Sequence, residues 1–439
     1  MNIRLQRKSV WEWLVLFVLA MPFALAFFTE LLGLPSALKY TVDIGWAVLL
    51  LGLLANRIRL PDRSAAGLLM LAFLFFALTP IGVLTHFQSP LYYLWGLRNN
   101  LRFFVFFFAC ICFLREERAA QCLGLLDLLL WINLPLVLYQ FFTLDKEGIY
   151  FGDYLGGIFG MQVGCNGYMN IFLMIVVARS VLRYMNHQES LLRCGINCVI
   201  ALLIAAISEL KIFFLEFAAI VALASLITRF SFRKLWIILG GILGMLVAIR
   251  MIYVLFPAFD GWFRLDRIWD TITSEKGYTG YNDMNRMTAV SMSLDRFLLS
   301  PWEKLFGLGM GNCDHANFDF LVTPFYRANN KLNYSWFSSA MLVLETGLAG
   351  LVLYVLFFVV LYFAAHGRQR RKQADLLHCQ LARIMALMCL VLILYNNSLR
   401  MESAYMIFFI LSLPFLGRER KEDCPDRGSI PEIITREES

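Results

Sequence analysis

The chain has 439 residues, of which 59% are hydrophobic and only 16% are charged. A soluble domain of this size could not bury so much apolar surface in one core, so the composition excludes an ordinary soluble protein and indicates a polytopic membrane protein. The net charge of +7 does not call for nucleic acid as a partner, because basic cytoplasmic loops account for it.

Apolar segments of about 20 residues, the length needed to cross a bilayer, recur along the whole chain. The first, which contains Ala24-Leu25-Ala26, resembles a signal peptide with its cleavage site, but we expect it to remain as a membrane helix. We predict an all-α, polytopic integral membrane protein of about 12 transmembrane helices. The predicted spans are 11–29, 41–56, 64–85, 91–114, 121–142, 167–185, 195–208, 212–228, 235–256, 335–365, 378–395 and 402–416.

One long interruption divides these helices into two groups. Residues 1–256 hold helices 1–9, 257–334 form a large extracytoplasmic loop, 335–416 hold helices 10–12, and the polar tail 417–439 is expected to be disordered. Lysine and arginine are retained on the cytoplasmic side of short loops. Because basic clusters alternate along the chain with loops poor in basic residues, we predict that both termini are cytoplasmic.

Charged residues interrupt the apolar segment 195–228, which lies between two basic clusters. The segment is too short for two full crossings, whereas a single crossing would place the following basic cluster outside. We therefore predict a short hairpin whose turn, Ser208–Lys211, lies below the outer membrane surface. Because exposing Glu209 and Lys211 to acyl chains would cost several kcal/mol, both are expected to face a polar cavity.

A second span, 91–114, reaches its full length only if it includes Arg98 and Arg102. These arginines are four residues apart and so share one face of the helix. Two cations on one face favour an anion-binding wall. The alternative is a wetted helix end whose arginines extend to lipid phosphates.

The large loop contains two candidate elements. Asn285–Leu299 has the spacing of an amphipathic helix with Met287 on its apolar side and Arg286 at its start. The sequence GLGMG that follows, with Gly309 and Gly311, looks like a phosphate-binding loop. Since the strand–loop–helix context of a nucleotide-binding loop is missing, a flexible turn between loop helices is the alternative.

Four segments together resemble the O-antigen polymerase and ligase superfamily of bacterial membrane glycosyltransferases. They are GLRNNLRFF (96–104), ISELKIFF (207–214), Arg286 followed by PWEKLFGLGMG (301–311), and NYSWFSSAMLVLETGLAGL (333–351). Each motif is loose, but their order, their side of the membrane and the size of the loop agree with the family over most of the chain.

The resemblance implies a GT-C-like fold and a metal-independent, cofactor-free, inverting glycosyl transfer at the outer face of the bacterial inner membrane. The donor would be an oligosaccharide on undecaprenyl diphosphate. A polymerase passes the glycan to another lipid-linked repeat unit of an O-antigen, capsule or exopolysaccharide, whereas a ligase passes it to lipid A core. Implied partners are the lipid-linked oligosaccharide, membrane lipids, a chain-length regulator and a flippase.

A diphosphate leaving group gains negative charge as the glycosidic bond breaks, and fixed cations stabilise that charge. The candidates for this diphosphate clamp are Arg98, Arg102, Lys211 and Arg286. Arginine is suited to this role because it binds two phosphate oxygens at once. Of the candidates, Arg286 is the first choice. By resemblance, Lys211 stands where ligases often have arginine.

The acceptor hydroxyl needs a general base. Glu209 is a candidate because burial would raise its pKa, although a salt bridge to Lys211 is an equal alternative, and His315 is a second candidate. Ligases carry a His-Asn pair near the position that Trp336 occupies in this chain. The chain lacks that pair.

Further acceptor and loop candidates are Asn333, Trp336 and Glu345, and Glu345 is alternatively expected to hydrogen-bond the loop. The missing ligase histidine favours a polymerase. So do four aromatic residues that could stack on sugars, although aromatics are also common at membrane interfaces: Trp262, Tyr278, Tyr281 and Trp336.

The other functional classes are a ligase-type transferase and a lipid-linked oligosaccharide flippase or transporter. Transporters usually show internal repeats, and the two halves of this sequence show none. A flippase would move the lipid-linked unit between leaflets without changing it.

A metal-free mechanism predicts that chelators leave turnover unaffected. The measurement is glycan extension by purified protein on a lipid-linked repeat unit, with and without EDTA. Inhibition by EDTA that a divalent cation reverses would contradict this prediction.

Overall fold

The computed structural model describes residues 2–56, 58, 60–144, 151–162, 164–229, 232–255, 277 and 283–416. Within these residues the regular secondary structure is helical, without a strand. Nine of the described helices are long and apolar enough to cross a membrane. The expected class, an all-helical polytopic membrane protein, is confirmed for this part of the chain.

The helices follow the predicted spans closely. They are α1 Asn2–Ala26, α2 Thr41–Ala55, α3 Arg63–Thr85, α4 Pro90–Phe113, α5 Glu116–Thr143, α6 Cys165–Met185, α7 Leu191–Ile207, α8 Lys211–Ile227, α9 Arg233–Leu255, α10 Ala289–Arg296, α11 Pro301–Phe306, α12 Pro324–Asn329, α13 Ser338–Arg370, α14 Leu376–Tyr395 and α15 Ala404–Ser412. Every predicted span overlaps a helix, but α7 and α8 have 17 residues each and α15 has nine. The count of twelve crossings therefore stays a prediction.

The core of the bundle is built around α4, α6 and α14. In the most apolar 18-residue stretch of each helix, 83% of the residues of α6 and 72% of those of α14 are buried, against 17% of those of α9. Aromatic rings fill the space between α4 and its neighbours: the ring centroids of Phe104 and Phe357 are 4.9 Å apart, and those of Phe104 and Phe408 are 5.4 Å apart. Such edge-on contacts add to the stability gained by burial.

The helix ends form two groups, and the following polar contacts join ends of the same group. Ends predicted to be cytoplasmic contact one another, as in the ion pairs Glu12–Arg115 and Asp62–Arg368. Ends predicted to be extracytoplasmic do the same, as in Arg98–Asp43 and Arg102–Glu402. This division agrees with the alternation of the predicted spans.

The predicted hairpin of α7 and α8 is present, with Ser208–Leu210 as its turn. Each arm is about 25 Å long at 1.5 Å per residue, shorter than a bilayer core of about 30 Å. The segment Phe151–Gly160 covers the turn, because the Ser208 hydroxyl donates to the Leu155 carbonyl oxygen at 2.7 Å.

The helix predicted at Asn285–Leu299 is shorter than expected. Asn285 forms a turn instead, in which its carbonyl oxygen accepts from the amides of Thr288 and Ala289, so α10 begins only at Ala289. Arg286 lies in this turn, and Met287 is exposed rather than packed.

Three loop glycines fit against glycines of the membrane helices. Gly307, Gly309 and Gly311 all have positive φ, at 74°, 98° and 82°, which favours glycine. A Cβ on Gly96 of α4 would lie 2.3 Å from the Gly311 amide nitrogen. This close approach explains why the α4 motif contains a glycine.

Replacing Gly96 by alanine is expected to destabilise the protein by about 1–3 kcal/mol, because the backbone of the loop cannot yield cheaply. Gly67→Ala is the matched control, since Gly67 is also helical and a Cβ there meets no atom within 4 Å. That control should be neutral or stabilising by up to roughly 1 kcal/mol. Thermal unfolding in detergent measures both, and equal effects would contradict the packing argument.

Candidate functional site

The turn between α7 and α8 places Glu209 in an unusual backbone conformation. Its φ is 53°, in the left-handed region that favours glycine. The Leu210 amide donates to the Ala205 carbonyl oxygen at 2.9 Å, so the turn is a Schellman cap that normally has glycine at this position. The strained glutamate costs about 1–2 kcal/mol relative to glycine, and backbone strain of this kind clusters at functional sites.

The Glu209 carboxylate is buried beneath the covering segment. It accepts a hydrogen bond from the Gly152 amide at 3.1 Å, and a Cβ on Gly152 would lie 2.2 Å from Glu209 Cγ. Burial raises the pKa of the Glu209 carboxyl to about 7, although the Gly152 amide and the Lys211 charge act in the opposite direction. A carboxyl that titrates near neutral pH can accept a proton there.

Lys211 lies among charges from three parts of the sequence. Glu209, Asp153 and Arg286 all act electrostatically on its ammonium group. Burial raises the pKa of Asp153, while Lys211 and a hydrogen bond from Asn166 lower it. The structure therefore brings the predicted pair Glu209 and Lys211 together with Arg286, which is distant in sequence.

Arg286 is held against the end of α14. Its Nε donates to the Tyr395 carbonyl oxygen at 3.2 Å, and its guanidinium carbon lies 4.2 Å from the centroid of the Tyr395 ring. The side chain is half-buried. Both contacts fix the direction of the guanidinium, which is what a binding group needs.

The two arginines of α4 are engaged by carboxylates. Arg98 donates to both oxygens of Asp43, at 3.0 and 2.5 Å, and Arg102 donates to Glu402 at 2.9 Å. Tyr168 donates to the other Glu402 oxygen at 2.8 Å. These pairings favour a structural role for Arg98 and Arg102 over that of an open anion-binding wall.

Arg400 is a buried cation between α14 and α15 that the sequence motifs do not single out. Its Nη2 donates to Asp314 at 2.9 Å and to Glu345 at 3.1 Å, and its carbonyl oxygen accepts from Arg102. Asn99 also donates to Asp314, at 2.6 Å. A charged residue between two apolar segments was the available signal, because such a residue needs an opposite charge.

The glycine loop is packed against other protein groups. The Gly311 amide donates to Glu345 at 2.9 Å, and the Leu308 amide donates to the Leu344 carbonyl oxygen at 2.8 Å. A break in α13 at Gly347, with φ of 65°, leaves that carbonyl available. The expectation that Glu345 hydrogen-bonds the loop is confirmed, and the geometry favours packing over phosphate binding for Gly309 and Gly311.

The remaining candidate residues that the structure describes lie in the loop between α10 and α13. His315 is exposed, and its ring centroid is 5.4 Å from that of Tyr326. Asn333 donates to Asp283 at 2.9 Å, which ties it to the segment just before Arg286, and Trp336 is 46% exposed. The candidates Trp262, Tyr278 and Tyr281 lie outside the described residues.

Among the described residues, no group of three or more His, Cys, Asp or Glu side chains is placed to hold a metal ion. The metal-free mechanism remains a prediction. A cavity of about 560 Å³, lined by His187, Glu189 and Arg233 among others, lies at the opposite end of the bundle and is separate from the site.

Chemically, the arrangement offers the Lys211 ammonium group beside a carboxyl that titrates near pH 7, with Arg286 close enough to act on that ammonium group. Such a group of side chains could bind an anionic oxygen and accept a proton close by. No protein-family model matches the chain, and no curated protein matches it.

Glu209→Gln should change how stability depends on pH. The pKa of Glu209 is about 7 in the folded protein, against an ordinary value of 4.5, so the folded state binds the proton more tightly. This contribution to stability is full below pH 4.5 and is lost as the pH rises through about 7. Glutamine keeps the acceptor for the Gly152 amide but does not titrate.

The melting temperature of the glutamine variant, relative to that of the wild type, should therefore rise between pH 4.5 and 7.5. Melting temperatures measured across this range on both proteins check the prediction. A difference that does not depend on pH would show that the carboxyl has no raised pKa.

Proposed function

We propose that the chain is a polymerase of a bacterial surface polysaccharide. It transfers a glycan from undecaprenyl diphosphate to a lipid-linked repeat unit. The observation that carries the proposal is that Lys211 lies within electrostatic range of both Glu209 and Arg286. It joins two of the four cations that are candidates for the diphosphate clamp, although they come from separate parts of the sequence.

In this proposal the acceptor hydroxyl oxygen attacks the anomeric carbon of the donor sugar. Its proton passes to the Glu209 carboxylate, and the bond from the sugar to the diphosphate breaks. The diphosphate leaves with the bonding electrons. Lys211 and Arg286 stabilise its growing negative charge more strongly in the transition state than in the ground state.

The proposal places the site at the outer face of the inner membrane, with both termini in the cytoplasm. The grouping of helix ends by polar contacts supports this, since the site residues belong to the ends that the basic loops predict to be extracytoplasmic. A ligase would use the same cations with a different acceptor. A flippase would bind the same lipid without breaking a bond.

Arg286→Ala should reduce chain extension by roughly a hundredfold or more, as the loss of a transition-state donor does. Arg286→Lys should restore part of the rate, because lysine keeps the charge but not the two-oxygen contact. The measurement is the glycan ladder formed by purified protein from a lipid-linked repeat unit.

Arg296→Ala is the matched control, since Arg296 is an exposed arginine in the same loop region. It should extend chains at close to the wild-type rate. Near-normal ladders from Arg286→Ala protein that elutes as a folded species would remove Arg286 from the site. Unchanged substrate that has crossed between leaflets would favour a flippase instead.

A further inference from the structure

One buried carboxyl lies apart from the site described above. Glu216 is on α8, and its side chain is 1% exposed. Neither of its oxygens has a hydrogen-bond partner of good geometry in the described structure. Four other buried carboxylates differ, because Glu12, Asp127, Glu189 and Glu345 each contact an arginine.

The side chain that faces Glu216 is Asn170 of α6. Asn170 is 2% exposed, and both its amide oxygen and its amide nitrogen also lack a well-formed partner. The two groups are close enough to interact but are not aligned for a hydrogen bond. Native proteins rarely leave buried polar groups without partners, so this facing pair calls for a physical explanation.

Among the residues that the structure describes, no charged group balances Glu216. α8 packs against α6, α7, α9 and α14, and of their side chains only the uncharged Asn170 acts on the carboxyl. The charged residues of these helices act elsewhere: Arg179 and Arg183 bind Asp127, Arg250 is exposed, and Arg193, Arg233, Lys234, His378 and Arg383 lie at the opposite end of the bundle.

An ionised carboxylate in these surroundings would cost several kcal/mol, so the group is neutralised instead. Phe213 lies about one turn before Glu216 on α8 and Ile220 about one turn after it, and both are buried. The carboxylate and the Asn170 amide provide three oxygens, against about six for a hard cation. A proton is therefore the ligand that the pair can satisfy, because a protonated carboxyl donates to the amide oxygen.

Glu216 and Asn170 lie near the polar side chains at the extracytoplasmic helix ends. We call these side chains, which include Glu209, Lys211 and Arg286, the outer polar layer. Glu216 is five residues into α8, or roughly 7.5 Å below Lys211 along the helix axis, and Lys211 belongs to the layer. A proton leaving Glu216 would pass to water in that layer. The resulting carboxylate could accept from the Asn170 amide and would be attracted to the Lys211 charge.

We propose that Glu216 and Asn170 form a proton-binding site inside the membrane bundle, in which Glu216 carries a proton and exchanges it with the outer polar layer. This proposal does not depend on the proposed function. It assigns to the chain a proton site of its own, separate from the Glu209 group.

Infrared difference spectroscopy of the full-length protein tests the proposal. The infrared variants are made in a Glu209→Gln background, because Glu209 is a second carboxyl that titrates near neutral pH. In that background the carbonyl stretch of a protonated carboxyl should be present near neutral pH, absent when Glu216→Gln is added, and present when Glu12→Gln is added, which alters a carboxylate paired with Arg115. Above its titration midpoint, the band of the background protein should fall about tenfold per pH unit.

A second measurement needs no variant. An apolar carbodiimide adds to a protonated carboxyl: the carboxyl oxygen bonds to the carbodiimide carbon, and the proton goes to its nitrogen. Peptide mass spectrometry should then find Glu216 modified at neutral pH and much less at high pH, with the arginine-paired Glu12 unmodified throughout.

Three results would overturn the proposal. An infrared band that survives in Glu216→Gln would place the protonated carboxyl elsewhere. Loss of the band or of labelling when sodium is added at constant pH would make the site a cation site. A band and labelling that do not change with pH would exclude exchange with the outer layer.

Discussion

The buried guanidinium of Arg400 is the interaction on which the outer half of the described structure depends. It joins the loop residue Asp314 to Glu345 of α13, and Asp314 in turn binds Asn99 of α4. The carbonyl oxygen of Arg400 accepts a hydrogen bond from Arg102. A buried charge without a partner is strongly destabilising, so each of these elements can take its position only when the others are in place.

The cations of the outer helix ends differ in their surroundings. Arg98, Arg102 and Arg400 are engaged by carboxylates. Lys211 lies within electrostatic range of Arg286 and of Glu209, whose pKa is near neutral pH. The positive φ of Glu209 is shared by Phe87, His187 and Lys372 at other helix ends, so the backbone conformation alone does not mark the site.

Burial makes the cost of ionising a carboxyl depend on its partner, and this accounts for the different behaviour of three glutamates. Glu345 accepts hydrogen bonds from Arg400 and the Gly311 amide. Glu209 accepts a hydrogen bond from the Gly152 amide and is attracted to Lys211. Within the described part of the chain, Glu216 faces an amide side chain without a cation, so a proton must neutralise it.

The positions of the helices could be predicted from the sequence because the length of apolar segments is a local property. The α7–α8 hairpin and its charged turn were predicted from the length of the apolar segment. The bounds of its two helices agree with the predicted spans to within a few residues. The start of α10 could not be predicted, because Asn285 uses its backbone in a turn instead of a helix.

The sequence also could not predict which charged residues pair with each other. Arg102 and Glu402 are 300 residues apart, and Arg98 and Asp43 are 55 apart, so no local pattern joins them. The presence of acidic residues at the ends of apolar segments was nevertheless a usable signal, because such residues need cations. It would have directed attention to Arg400 and away from an unpaired role for Arg98.

The most direct test of the account is a double-mutant cycle on Arg400 and Glu345, measured as the free energy of unfolding. Arg400→Gln alone should cost about 3–5 kcal/mol, because it leaves buried carboxylates without their cation. Adding Glu345→Gln should recover part of that loss, giving an interaction energy of about 0.5–3 kcal/mol. Costs that simply add would show that Arg400 does not join these elements and would contradict the account.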